Sequence, residues 1–137
     1  SISYTGNNRT HMIRIPDPGR FELRLMDGSV NPYLLQSSVL AAGIDGIKRK
    51  TNPGKPLNCN MYEDHEKYPK LPKLPNNLEQ SLAQLENNKS MSISFGKSVI
   101  QSYIKLRRSE LIEFNKNDKF DKLKKITKWE RDNTLDC

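Results

Sequence analysis

The chain has 137 residues, 34% hydrophobic and 28% charged, with a formal charge of +7 and a mean hydropathy of −0.79; it suits one modest, apolar-poor domain and is too short for two. No run approaches the roughly 18 apolar residues of a membrane span, and residues 1–10 lack the apolar stretch of a secretory signal. Cys59 and Cys137 form no motif, so the expectation is a cytoplasmic protein with reduced thiols, neither a membrane protein nor a secreted disulfide scaffold.

Thr10 to Ile15 and Arg20 to Met26 both alternate in polarity around Pro16-Asp17-Pro18-Gly19, which predicts a β-hairpin. The period of two puts His11, Ile13 and Ile15 on one face, with Phe21, Leu23 and Leu25 on one face of the partner strand. Met12 and Arg14 occupy the opposite face of the first strand, and Arg20, Glu22, Arg24 and Met26 that of the second. Two strands alone are marginal in water. No later segment offers another strand, so the hairpin is expected to complete a larger antiparallel sheet.

Asn31-Pro32 is a helix start, with Asn as N-cap and Pro in the first turn. From Tyr33 to Ile47 apolar residues fall on most sides, which predicts a buried helix over 31–50. Thr51 to Asn76 is Pro-rich and reads as an irregular connection. Leu78 to Asn87 predicts a short amphipathic helix capped by Asn77, and Val99 to Phe114 a second helix with apolar residues at helical spacing. The fold class is therefore α+β, hairpin first and helices after: 1–30 strands, 31–50 the buried helix, 51–137 the connection and C-terminal helices.

Several motifs are rejected. Phe95-Gly96-Lys97-Ser98 has the tail of a phosphate-binding loop, but position 91, where its first glycine belongs, is Met. Glu63-Asp64-His65-Glu66 lacks a second ligand pair at helical spacing and reads as a solvated loop. His11 shares a strand face with Ile13 and reads as a packed histidine. Lys116 to Lys128 holds six Lys against two Asp, but Phe114, Phe120 and Trp129 fall where a helix packs its aromatics. A solvated lysine face is the better reading, and nucleic acid is not an expected partner.

The constellation that remains is Arg9, Arg14, Arg20, Glu22 and Arg24. Residues 1–47 carry four Arg and no Lys, balanced by Asp17, Glu22, Asp27 and Asp45, so the excess charge lies wholly in 48–137. An ordinary solvated sheet face is one account of this cluster. Against it stand the exclusive use of Arg, which alone offers a planar fork for bidentate phosphate contact, and a single carboxylate between two Arg on one strand face. A carboxylate can ligate Mg²⁺ while Arg side chains neutralise a polyphosphate, which makes phosphoryl chemistry the sharper alternative.

These residues also carry a resemblance. Asn8-Arg9-(x)4-Arg14-Ile15-Pro16, Arg20-(x)-Glu22-(x)-Arg24, Asp27-(x)3-Asn31-Pro32-Tyr33 and Ala41-Ala42-Gly43-Ile44-Asp45-Gly46-Ile47 resemble the C-terminal part of the glutamine synthetase catalytic domain. The similarity continues through Pro53-Gly54-Lys55-Pro56, Asn60-Met61-Tyr62 and Ser102-Tyr103-Ile104-Lys105-Leu106. Trp129-Glu130-Arg131 and Thr134-Leu135-Asp136-Cys137 resemble the C-terminus of a bacterial, type III-like branch, whereas Lys116 to Lys125 stands out as a divergent or inserted stretch.

The resemblance implies an ATP-dependent glutamate–ammonia ligase working through a γ-glutamyl phosphate, with Mg²⁺ or Mn²⁺ as cofactor and ATP, glutamate and ammonia as substrates. By motif position Glu22 would be a metal ligand, Arg9, Arg14 and Arg20 would bind ATP or phosphate, and Arg24 would contact glutamate. Arg9 and Arg24 would act in catalysis. His11 matches no ligand position. The family's other metal carboxylates, its metal histidine and a flap glutamate have no counterpart here. The expected partner is thus the remainder of a glutamine synthetase chain, in a ring-type homo-oligomer, with the 137-residue chain inactive alone. Two alternatives remain: a related ligase joining glutamate to methylamine or another amine, and a free-standing remnant that binds anions or nucleotides without catalysis.

Overall fold

The computed structural model describes residues 1–117 and 126–134, and it divides into two compact units. The first unit joins residues 1–28 to 51–74. Its sheet has the order β1-β2-β3, with β1 at Tyr4–Thr5, β2 at Ile13–Asp17 and β3 at Arg20–Leu23. β2 and β3 form the expected antiparallel hairpin, pairing Ile13 with Leu23, Arg14 with Glu22 and Asp17 with Arg20. The register shifts between Arg14 and Asp17, where Pro16 has no N–H to give the ladder. Gly19 closes the turn at φ +78, a backbone conformation that a side chain would oppose.

One feature of this sheet departs from the expectation. β1 pairs parallel to β2, so the sheet is mixed and not wholly antiparallel. Two residues are too few for alternation to show, and pairing across the sheet is what makes Tyr4–Thr5 a strand.

The Pro-rich segment is tied down along this sheet. Ile2 N–H donates to the Pro72 carbonyl at 2.8 Å, Leu57 N–H to Tyr4 at 3.0 Å, and the Tyr4 hydroxyl to Gly54 at 2.8 Å. Within it Asn60 caps a short helix, α2 (Met61–Asp64), which runs into a 3-10 turn at His65–Lys67.

The second unit joins residues 29–50 to those from 75 onward. Helix α1 spans Pro32–Lys48, and its Asn31 side chain accepts from the Tyr33 and Leu34 N–H groups, as the Asn-Pro start predicts. Its burial is not as predicted. No residue of α1 is buried, and Tyr33 and Ile47 are 80% and 79% exposed. A helix apolar on most sides needs apolar partners on most sides, and among the described residues of this unit α4 (Lys89–Phe95) is the main element packed against it.

Helix α3 (Leu78–Glu86) starts at Asn77, whose side chain accepts from Gln80 N–H. Asn88 caps α4 by accepting from Met91 N–H, and Gly96 ends it at φ +84 before α5 (Lys97–Asn117) begins. The core of the unit is Leu82, Ile100 and Ile104, with Leu85, Met91, Phe95 and Tyr103 partly buried around it. Helix α6 (Lys128–Thr134) brings Trp129 edge-on to Phe114, with ring centroids 5.5 Å apart. Most of the Lys-rich stretch, residues 118–125, lies outside the described residues. No helix among the described residues is long and apolar enough to cross a membrane.

Candidate functional site

The hairpin gathers charge on one face because the register sets Arg14 of β2 opposite Glu22 of β3. Arg14 Nη1 donates to both Glu22 carboxylate oxygens at 2.7 Å. Its other edge is held as well, since Nε donates to Asn7 Oδ1 at 2.9 Å and Nη2 to the same oxygen. The Arg14 side chain is only 11% exposed, against 35% for Glu22. The guanidinium is therefore fixed in one plane between a carboxylate and an amide oxygen.

The hydrogen bond from Arg14 is the main influence on Glu22 and holds its carboxyl below the usual range. Partial desolvation opposes this, and the charges of Arg14, Arg20 and Arg24 add to it. Glu22 is thus ionised at neutral pH and sits within the field of three guanidinium groups. Arg20 also meets Asp17 at 3.1 Å, an open contact with side chains 60% and 68% exposed. Such a pair contributes little and exchanges readily for a stronger anion. Arg24 lies just past β3, anchored by its backbone N–H to the Met12 carbonyl at 2.9 Å.

Arg14, Arg20, Arg24 and Glu22 are thereby brought together. Arg9 is not, for its exposed side chain lies on the connection between β1 and β2 and shares no hydrogen bond or ion pair with the others among the described residues.

Two features escape a reading of motif and period. One is Asn7, which fixes Arg14. The other is His11, 3% exposed, whose Nε2 lies 3.0 Å from the Cys59 carbonyl and whose Nδ1 lies 3.0 Å from Ser3 Oγ. A carbonyl only accepts, so Nε2 carries a proton; His11 is packed, as the sequence suggests, but it stands before β2 begins at Ile13, and its two hydrogen-bond partners are what no period could name. The doublet Asn7-Asn8 beside Arg9 was the available signal, since Asn commonly closes turns on its own backbone. Among the described residues no three His, Cys, Asp or Glu side chains group as a metal cage.

The family model for the glutamine synthetase catalytic domain matches residues 1–132. A glutamine synthetase of Rhizobium meliloti (strain 1021) is 42% identical over 99% of this chain and 29% of its own length. A glutamate–methylamine ligase of Methyloversatilis universalis is 36% identical over 98% of this chain and 29% of its own. The solved structure described as "Apo GmaS without ligand" superposes with a TM-score of 0.79 at 40% identity, covering all of this chain and 30% of that one. Another, "GmaS/ADP complex-Conformation 1", gives the same TM-score and identity over 98% of this chain and 29% of that one. The chain thus spans about 30% of the length of these relatives. With its α+β architecture and its hairpin of Arg and Glu, it belongs to the glutamine synthetase catalytic-domain family.

Proposed function

We propose that this chain supplies part of the catalytic domain of an ATP-dependent ligase that makes glutamine. In that reaction the γ-carboxylate of glutamate takes the γ-phosphoryl of ATP, and ammonia then displaces phosphate from the acyl phosphate. The observation that carries the reading is the single hairpin face on which Glu22 is surrounded by Arg14, Arg20 and Arg24. Phosphoryl transfer depends mainly on positioning and on neutralising charge spread over phosphate oxygens, and fixed guanidinium groups do both.

Each residue takes a role that suits its setting. Arg14 is already oriented by Asn7 and Glu22, so it enters the reaction with little ordering left to do. Arg20 can leave its exposed contact with Asp17 to meet an ATP phosphate. Arg9 and Arg24 would bind the phosphoryl group in transfer and the glutamate side chain. A solved relative described as an ADP complex supports the nucleotide reading.

Glu22 fits a hard divalent cation as an ionised, partly exposed oxygen donor, and a cation there would share the carboxylate with Arg14. It would hold Mg²⁺ or Mn²⁺ as one ligand among several, the others coming from elsewhere in the full-length protein. The cation would supply charge neutralisation at the phosphoryl oxygens. With one such ligand, the 137-residue chain alone is expected to release no phosphate from ATP. The full-length protein is expected to act in the cytoplasm, as a ring-type homo-oligomer.

The test is steady-state kinetics on the full-length protein. Arg9→Lys and Arg24→Lys keep the charge and lose the fork, so turnover should fall by about ten- to a thousandfold. Arg107→Lys, on α5 beside Glu110, should change little. Near-wild-type turnover in both Arg9→Lys and Arg24→Lys would refute the phosphoryl and glutamate roles given to these two residues. A second reading, in which methylamine is the acceptor, is favoured by the 36% identity to a glutamate–methylamine ligase. Comparing kcat/KM for ammonia and methylamine decides between them.

A further inference from the structure

Arg9 has no side-chain partner of its own among the described residues, yet both its neighbours in sequence are tied to a segment some fifty residues away. Asn8 Oδ1 accepts from Thr10 N–H at 2.9 Å and from the Thr10 hydroxyl at 2.8 Å. Asn8 Nδ2 donates to the Cys59 carbonyl at 2.9 Å, beside the His11 ring nitrogen at 3.0 Å. Thr10 Oγ1 then accepts from Met61 N–H at 3.0 Å, at the start of α2, where Met61 is itself buried.

We propose that Asn8 and Thr10 clamp the Arg9 turn to residues 59–61 and are positioning residues for the phosphate contact of Arg9. The inference rests on the role given to Arg9 above. Closing the turn needs only Asn8 Oδ1 and the bond from Asn8 N–H to the Gly6 carbonyl, 2.8 Å long. The bonds to Cys59 and Met61 add nothing to the shape of the turn. What they do is fix where it stands, against the entropy of ordering two distant segments.

The chemistry is specific at both residues. The Thr10 hydroxyl spends its one hydrogen on Asn8 and a lone pair on Met61 N–H, so it must be donor and acceptor at once. Asn8 uses both ends of its amide. An exposed arginine whose backbone is held in this way reaches its target without a search, and displacements on the order of 1 Å cost about a hundredfold in rate.

The test is a double-mutant cycle in the full-length enzyme. Thr10→Val keeps the shape and removes both hydrogen bonds, and kcat should fall by about ten- to a hundredfold. The KM for glutamate should stay within about twofold. Thr10→Ser, which restores the hydroxyl, should recover most of the rate. In an Arg9→Ala background Thr10→Val should cost less than about threefold, because the residue it positions is gone. Asn8→Ser keeps an acceptor for the turn while dropping the donor to Cys59, and it supplies the same cycle if Thr10→Val does not fold. A full Thr10→Val penalty that persists beside Arg9→Ala overturns the clamp while leaving the role of Arg9 standing. Near-wild-type turnover in Arg9→Ala alone overturns that role, and the clamp with it.

Discussion

Truncating Leu82 to alanine should unfold the helical unit far more readily than truncating any apolar residue of α1. Leu82 is 2% exposed and packs with Ile100 and Ile104, the other buried hydrophobics of its unit among the described residues. Leu→Ala removes three carbons, which at about 0.8 kcal/mol each is about 2.4 kcal/mol of lost transfer free energy. A cavity term adds to this, but Ile100 is 8% exposed and the flanking Met91 and Phe95 are only partly buried, so the site can relax. The expected loss is about 2.5–3.5 kcal/mol, a large share of the 5–15 kcal/mol typical of a whole domain. Ile47→Ala on α1, where the side chain is 79% exposed, should cost under about 0.5 kcal/mol. Native-state hydrogen exchange of the α3 and α5 amides in the 137-residue chain measures the opening free energy where it matters. A loss below about 1 kcal/mol for Leu82→Ala, or an equal loss for Ile47→Ala, would show that the core does not lie at Leu82.

Arg14→Lys keeps a charge beside Glu22, but its three N–H bonds radiate from a single nitrogen and do not reproduce the two separate guanidinium edges that hold Glu22 and Asn7. The full-length enzyme should lose about ten- to a hundredfold in kcat, and unchanged kinetics would show that the Asn7–Arg14–Glu22 chain has no part in turnover. Arg108 on α5 donates to both Glu86 oxygens on α3, at 3.2 and 2.6 Å, and this hydrogen bond chiefly lowers the Glu86 carboxyl below its ordinary 4.5. A carboxyl lowered on folding stabilises above its unfolded value and loses that contribution as pH falls through the folded one. Arg108→Ala should therefore lower the thermal midpoint slightly at neutral pH and leave it unchanged in strong acid. A pH-independent difference between the two melting curves would refute the linkage.

The local chemistry of this chain is legible in its sequence. A Pro-Gly turn between two alternating runs specifies a hairpin, because period-two patterning survives only in strands, and Asn at positions 31 and 77 specifies where α1 and α3 begin. The same periodicity already set Glu22, Arg20 and Arg24 on one face, since successive side chains of a strand must point in opposite directions. Contacts between distant parts of the chain were not legible, because they depend on packing and not on neighbours in sequence. Two residues at Tyr4–Thr5 become a strand only through pairing with β2. Seven residues at Lys89–Phe95, whose alternating serines give no helical period, become α4 between an Asn88 cap and a left-handed Gly96. α1 shows the limit most plainly. Its composition states what kind of surroundings it needs, but burial requires other atoms to be there, and within this chain Tyr33 and Ile47 meet mostly water. Nor does any spacing rule connect Asn8 to Cys59 or Thr10 to Met61. A hydrogen bond across fifty residues is decided by how the Pro-rich segment lies along the sheet, and only the folded chain holds that information.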